Sequence, residues 1–493
     1  MTLFNRRKQH KRRYDPWDLS APLLYWADGA PWTVGDSCMG TQVFGSTGSG
    51  KSSGSMAAMC RAMLRAGYGG LFLTVKPEDR DTYVGYVRDA KRLDDLLVFS
   101  PDHGVRYNFI ADEQQNSASP VGLAENLTAL LMTVSELGDR KRGGGGGGGG
   151  GQDNERYFRL EASRLARNGL LALVLSRQTI TIPDLHRLIV TAPQSLEQVA
   201  SASWREDSFC YQCLQAAEQS PKSESLRADF ELALTYFLRE WPALSPRTRS
   251  VVQSTLTSTT DLLSRGAARD MLSSPTPNVS PDMMHDGAIM IADFPVLLYR
   301  DVGAMIQVIL KFMWQRAHAR RDIAKNHRPT FIVADESQML LVDADQDFQA
   351  IARSTRTAVV YATQSVSGMI DALGPNSEAQ VHSLLANMQT RLCHQQTDIR
   401  TVEYMQQLIG RRRQLLMSGN QPRDANWLAP LIGPEPGGSA GFGEQWEYEL
   451  QASDLNSLAK GGPPHFVTEA IAYQGGKRLP NGRTWMRVPI RQR

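Results

Sequence analysis

Gly45-Ser46-Thr47-Gly48-Ser49-Gly50-Lys51-Ser52 satisfies the spacing GxxxxGK[ST] at every defined position, directly behind the apolar pair Val43-Phe44 and ahead of a helix-like run that Ser53 continues. Glycines at these positions let backbone N–H groups close around phosphates, and the helix start that follows adds a favourable dipole. Lys51 can then reach β- and γ-phosphates, and the Ser52 hydroxyl can ligate Mg²⁺. The chain is expected to bind a nucleoside triphosphate.

Far downstream, Phe331-Ile332-Val333-Ala334 runs into Asp335-Glu336. An apolar run suits a strand buried on both faces of a parallel sheet, and acids at its carboxyl end face the crevice where open α/β sheets bind ligands. Asp335 fits a carboxylate that holds Mg²⁺, and Glu336 fits a base that aligns and polarises an attacking water. A second strand, Ala358 to Ala362, is followed by Thr363-Gln364. A polar Gln364 leaving a strand beside the acidic one can contact the γ-phosphate or the water.

These groups need a sheet to hold them, and the chain supplies its pattern. Met56 to Ala66 reads as helix, Gly70 to Val75 as strand, Asp79 to Leu93 as helix and Leu96 to Phe99 as strand, which is the β-α-β-α order of a parallel sheet. From Asn154 to about Ser274 only helix signals occur, with Leu160, Leu165, Leu170, Leu171 and Val174 lining one run. The sheet resumes at Ala288 to Ala292, followed by a helix from Asp301 to about Arg321. The segment from Gly433 to Gly443 reads as loop, and the tail from Pro464 as short strands around Gly482. The expected fold class is therefore α/β with an inserted all-α domain. The ATPase-type domain comprises residues 31–152 and 275–493, the helical domain residues 153–274, and residues 1–30 form a basic N-terminal segment.

At 493 residues the chain exceeds one small core, and a formal net charge of +3 is too small to argue for nucleic acid by itself. Arg6, Arg7, Lys8, Lys11, Arg12 and Arg13 nevertheless form a dense basic start, either a solvated tail or a contact for DNA phosphate or anionic lipid. Gly143 to Gly151, nine glycines behind Arg140-Lys141-Arg142, reads as a flexible loop between helices, with contact to nucleic acid as the alternative. Five cysteines include a single CxxC, Cys210 and Cys213, on an apparent amphipathic helix, which favours reduced, buried thiols over a metal site. No stretch has the apolar length of a membrane-spanning helix, so a cytoplasmic location is expected.

The phosphate loop, the inserted helices, the acidic strand and the strand ending Ala362-Thr363-Gln364 together resemble the FtsK/HerA superfamily of DNA-pumping ATPases. The closer likeness is to its TraG/TraD branch, the type IV secretion coupling proteins. Thr74 to Glu78 stands where that branch has D-P-K-G-E, Gly287 to Gly303 resembles its G-x-I-x-I-x-D-x-P segment and long helix, and Ala352-Arg353 stands where it has A-R-K-Y-G. Leu385-Ala386-Asn387 to Gly410 resembles its strand and following helix. Two departures stand out: no transmembrane helices are visible, and Thr74 replaces the strand-end Asp.

The resemblance implies a RecA-like P-loop domain, ATP with Mg²⁺, a homo-hexamer with nucleotide at subunit interfaces, and DNA in the channel. It also implies that Arg353 reaches a neighbour's γ-phosphate, although Arg356 is close enough in sequence to be confused with it. Relaxosome and type IV secretion channel components would be its partners, with peripheral placement at the inner membrane through them. Two other functions remain open: a HerA- or FtsK-like cytoplasmic translocase in DNA processing or defence, and an ATP-switched adaptor that recruits protein cargo.

Overall fold

The computed structural model describes residues 15–141, 152–177, 179–374, 376–419 and 440–492. The basic cluster from Arg6 to Arg13 and the Gly143 to Gly151 run lie outside the described residues.

Nine strands make one sheet: β1 Thr41–Phe44, β2 Gly69–Leu73, β3 Leu96–Phe99, β4 Ile289–Ala292, β5 Thr330–Ala334, β6 Thr357–Thr363, β7 Thr390–Cys393, β8 Val467–Gln474 and β9 Trp485–Arg491. Their spatial order is β9-β8-β7-β1-β6-β5-β2-β4-β3. From β7 to β3 every neighbouring pair is parallel, whereas β8 and β9 add antiparallel to that edge.

Alternating side chains explain why the strands are apolar throughout. Val43, Phe72, Ile291, Val333 and Val360 share one core with Met59, Met63 and Tyr83 from helices Ala57–Arg65 and Asp79–Asp89. Phe44, Leu71, Leu73, Ile332 and Ala334 point to the opposite core, with Ile306, Ile309 and Met313 of the helical segment Val296–Arg320, which kinks at Arg300 (φ 49°, ψ −126°). Each fully buried aliphatic side chain contributes about 1.5–3 kcal/mol, so both faces hold the sheet in register.

Between β3 and β4 the elements are all helical among the described residues. Helix Pro120–Lys141 precedes the glycine run and packs on helix Gln152–Ser176 beyond it. Leu127, Leu130 and Val134 join Leu165, Leu170, Ile189 and Val252 in a core continuous with one sheet face. The helical body is thus attached to the sheet by shared apolar burial.

Three local expectations differ from the structure. The helix from Asp79 ends at Asp89, because Lys91 takes φ 59° and breaks the ladder before the short turn Leu93–Asp95. Leu385 and Ala386 close helix Glu378–Ala386, and the strand begins only at Thr390. Ala440 to Gly443 are not loop: they open strand Ala440–Tyr448, which pairs antiparallel with Arg411–Gly419. Cross-strand pairing supplies backbone hydrogen bonds that a Gly-rich composition does not reveal.

All five cysteines are free and buried, Cys210 and Cys213 on helix Phe209–Gln219, and no metal-binding cluster occurs among the described residues. No described helix is long and apolar enough to cross a membrane.

Candidate nucleotide site

The phosphate loop leaves β1 at Phe44 and turns through Gly48 at φ 72° and Gly50 at φ 88°, both left-handed. Glycine is required at Gly50 for a second reason, since a Cβ there would lie 2.7 Å from Thr468 Oγ1. Lys51 to Met56 then form a π-helical turn that passes into the α-helix from Ala57. Lys51 is buried and donates from Nζ to the Gly45 carbonyl at 2.7 Å. Burial lowers its pKa, while Glu336 and Asp335 act in the opposite sense. Ser49 Oγ is also buried and has no hydrogen-bond partner among the described residues, leaving a spare hydroxyl inside the loop.

The two carboxylates follow β5. Ser52 Oγ donates to Asp335 Oδ2 at 2.5 Å, and the Glu336 backbone N–H donates to Asp335 Oδ1 at 2.9 Å. Hydroxyl and carboxylate oxygens in contact are the hard donor set that Mg²⁺ prefers, so Ser52 and Asp335 fit that ion. Glu336 itself takes φ 48° and ψ 44°, a left-handed conformation unusual for a side chain of its size. That twist accompanies a carboxylate which accepts from Gln338 Nε2 at 2.9 Å and, more loosely, from Gln364 Nε2 at 3.4 Å.

Lys76, just past β2, places Nζ 3.7 Å from Asp335 and 3.6 Å from Glu336. Its backbone is fixed by Asp79, whose Oδ2 accepts the N–H groups of Val75 and Lys76 at 2.8 Å each. Burial alone would raise the Glu336 carboxyl, but the Gln338 hydrogen bond, the Lys51 and Lys76 charges and Gln364 together hold it below the ordinary carboxylate value. Glu336 is therefore ionised at neutral pH, the form in which a carboxylate can accept a proton.

Strand order explains how Gln364 arrives. β6 lies between β1 and β5, so its carboxyl end opens between the phosphate loop and the acids. Arg353 is not part of this assembly. It is exposed in the turn before β6, at the amino end of a strand whose carboxyl end carries Gln364. Seven strand residues separate the two ends by roughly 20 Å. Arg356 is otherwise employed, donating from Nη1 to the Trp17 and His327 carbonyls at 3.0 and 3.4 Å.

Sequence reasoning did not single out Gln338, Gln395 or Thr468, and it read His394, beside Cys393 at a strand end, as core packing only. Gln338 could have been noticed two residues after Glu336, but the others carry no local signal. Ser46 is held by Gln395 through both its N–H and its hydroxyl, the N–H bond being 2.9 Å. Thr468 Oγ1 donates to the Ser49 carbonyl at 2.7 Å, and His394 bridges Ser55 at 2.8 Å to Thr468 at 3.3 Å. Burial pushes His394 down to about 3, so the bridge is made by neutral imidazole. Strands β7 and β8 thereby brace the phosphate loop from the side opposite the acids.

Comparison with solved structures shows which fold holds this arrangement. The chain aligns over 97% of its length with 90% of the bacterial conjugative coupling protein TrwBdeltaN70 in its unbound form, at a TM-score of 0.58 and 13% identity. It aligns over 98% of its length with 91% of the plasmid coupling protein TrwB bound to the ATP analogue ADPNP, at 0.57 and 14%. The chain has the fold of a conjugative coupling protein. A third TrwB structure, in complex with ADP and Mg²⁺, matches 95% of this chain at a TM-score of 0.57 and 13% identity. The coupling-protein fold is a RecA-like P-loop domain with an all-α domain, in agreement with the expected fold class. No protein-family profile matches the sequence, and no curated protein matches it either.

Proposed function

We propose that this protein is an ATP-hydrolysing motor of the coupling-protein type, a hexameric DNA translocase acting in conjugative transfer through a type IV secretion system. The observation that carries the reading is the contact between Ser52 and Asp335 with Glu336 and Gln364 beside it, set in a fold shared with TrwB along nearly the whole chain. TrwB has been captured with ADP and Mg²⁺ and with an ATP analogue, which supports ATP as the nucleotide here.

In this reading the loop from Gly45 to Ser53 binds the phosphates, with Lys51 exchanging its bond to the Gly45 carbonyl for one to a phosphate oxygen. Ser52 and Asp335 hold Mg²⁺, which supplies charge neutralisation at the transferring phosphoryl group. Glu336 accepts a proton from the water it orients, and Gln364 positions the same water and registers loss of the γ-phosphate. Arg353 lies too far from its own Gln364 to serve that site, so its role requires the neighbouring subunit of a ring. Backbone phosphates of DNA would be moved by channel loops with little sequence preference. Partners at the membrane, relaxosome and channel components, would place the ring at its site of work.

The test is the ATPase rate with and without single- and double-stranded DNA across a salt series. Stimulation by DNA that fades with rising salt supports a translocase. DNA-independent, slow hydrolysis overturns the motor reading and favours an ATP-switched adaptor.

A further inference from the structure

Two clefts meet at Ser52, Thr82 and Tyr86. The first, about 180 Å³, runs past Lys76, Asp79 and Asp335 and includes Ser52 and Asp335, the pair assigned to Mg²⁺. The second, about 520 Å³, runs the other way past Ser53, Ala57 and Arg61 to Gly462, Phe466 and Gln492, and beyond Ser52 and Ser53 none of its lining has a part in the hydrolytic chemistry.

Its far wall has unusual features. Phe466 is 48% exposed, although an aromatic ring of that size is ordinarily covered. Its backbone takes φ 49°, a conformation disfavoured for any residue with a Cβ. Hydrogen bonds hold it there: its N–H donates to the Gly462 carbonyl at 2.8 Å, and its carbonyl accepts from Gln492 N–H at 2.8 Å. The Gln492 side chain then fastens this turn to the phosphate-loop helix, accepting from Gly462 N–H at 2.6 Å and donating from Nε2 to Ser53 Oγ at 2.8 Å. On the opposite wall, Arg61 lies over the Tyr86 ring at 4.9 Å and pairs with Asp89 at 2.9 Å.

We infer that the second cleft takes the nucleobase and ribose of the bound nucleoside triphosphate, with the base stacked on Phe466. This inference rests on the nucleotide-binding reading above and adds where the nucleoside goes. With β- and γ-phosphates held by Lys51, and Ser52 and Asp335 holding the Mg²⁺, the α-phosphate end of a bound nucleotide would lie toward Ser53, which lines the second cleft. The nucleoside must leave the loop on that side, and the cleft there ends on an exposed ring. The Phe466 turn and Gln492 belong to the C-terminal hairpin, whose β8 also braces the loop through Thr468, so base and phosphates are gripped by the same strands. Stacking uses a face common to all bases, so the cleft is expected to accept purines with little discrimination.

The experiment measures equilibrium binding of ATP, GTP and inorganic tripolyphosphate, each with Mg²⁺, to wild type, Phe466→Ala, Phe466→Tyr and Gln492→Ala. Phe466 is exposed, so its replacement leaves the core intact. Phe466→Ala is expected to weaken ATP and GTP on the order of tenfold and leave tripolyphosphate unchanged, with Phe466→Tyr restoring both nucleotides. Gln492→Ala is expected to shift the nucleotides in the same direction by less. Equal ATP affinity in wild type and Phe466→Ala overturns the assignment while nucleotide binding itself stands. Tripolyphosphate weakened in parallel with ATP also overturns it, by showing a general effect on the loop. Failure of wild type to bind either ATP or tripolyphosphate overturns the underlying reading together with this one.

Discussion

Ser52 and Asp335 stand 283 residues apart in the chain and share a hydrogen bond of 2.5 Å from Ser52 Oγ to Asp335 Oδ2. The phosphate loop and the acidic strand are thereby one site, with Glu336 immediately beyond. Lys51→Ala should abolish measurable ATP binding. Glu336→Gln should keep ATP affinity and lower turnover at least a hundredfold, the scale of general base catalysis. Calorimetry paired with phosphate release checks both, and wild-type turnover in Glu336→Gln would remove Glu336 as the base.

Arg353 and Arg356 should separate cleanly. Arg353→Ala is expected to bind ATP normally and hydrolyse it on the order of a thousandfold more slowly, with partial recovery when mixed with Lys51→Ala protein. Arg356→Ala should instead lower thermal stability, because the Trp17 and His327 carbonyls lose their donor. Absence of rescue at every mixing ratio, with a monomeric mass in ATP, would sink the interfacial role of Arg353.

Thr468 tests the brace. Thr468→Val keeps the shape but leaves the buried Ser49 carbonyl without this hydroxyl, a loss of about 1–3 kcal/mol, while the Ala459 carbonyl keeps the Glu469 N–H at 2.9 Å. Nucleotide binding should weaken along with a lower Tm. An unchanged Tm and unchanged affinity would show that the C-terminal strands do not support the loop.

The buried His394 predicts an acid limb of stability. Its folded pKa of about 3 lies below the ordinary value of 6.5, so the unfolded chain binds the extra proton between those values. Stability should fall as pH drops below about 6.5 and the slope should end near 3, with about 1.4 kcal/mol per pH unit for each such group. His285, pushed down to about 4, adds in the same sense. Denaturant titrations from pH 7 to 4 should show a shallower slope for His394→Gln than for wild type. Identical slopes would mean the imidazole is not held neutral.

Removing residues before Tyr14 should weaken DNA or anionic-vesicle binding at low salt, flatten the salt dependence and leave ATP affinity unchanged. Equal binding by both forms would make the basic cluster a solvated tail.

The eight-residue loop, the apolar run into Asp335-Glu336 and the strand into Gln364 were legible in the sequence because each is local. Spacing within a few residues sets which backbone groups face a phosphate, and an unbroken apolar run sets a strand buried on both faces. The α/β class and the all-helical stretch before β4 follow from the same short-range periodicities. Tertiary structure alone placed β6 between β1 and β5, which brings Gln364 within 3.4 Å of Glu336. It also put Arg353 at the far end of that strand, and folded the tail back antiparallel so that Thr468, 419 residues from Ser49, closes the loop. Such contacts depend on strand order and register, which arise from long-range pairing of backbone groups. No residue type or spacing near Ser49, Thr468 or Arg353 encodes them.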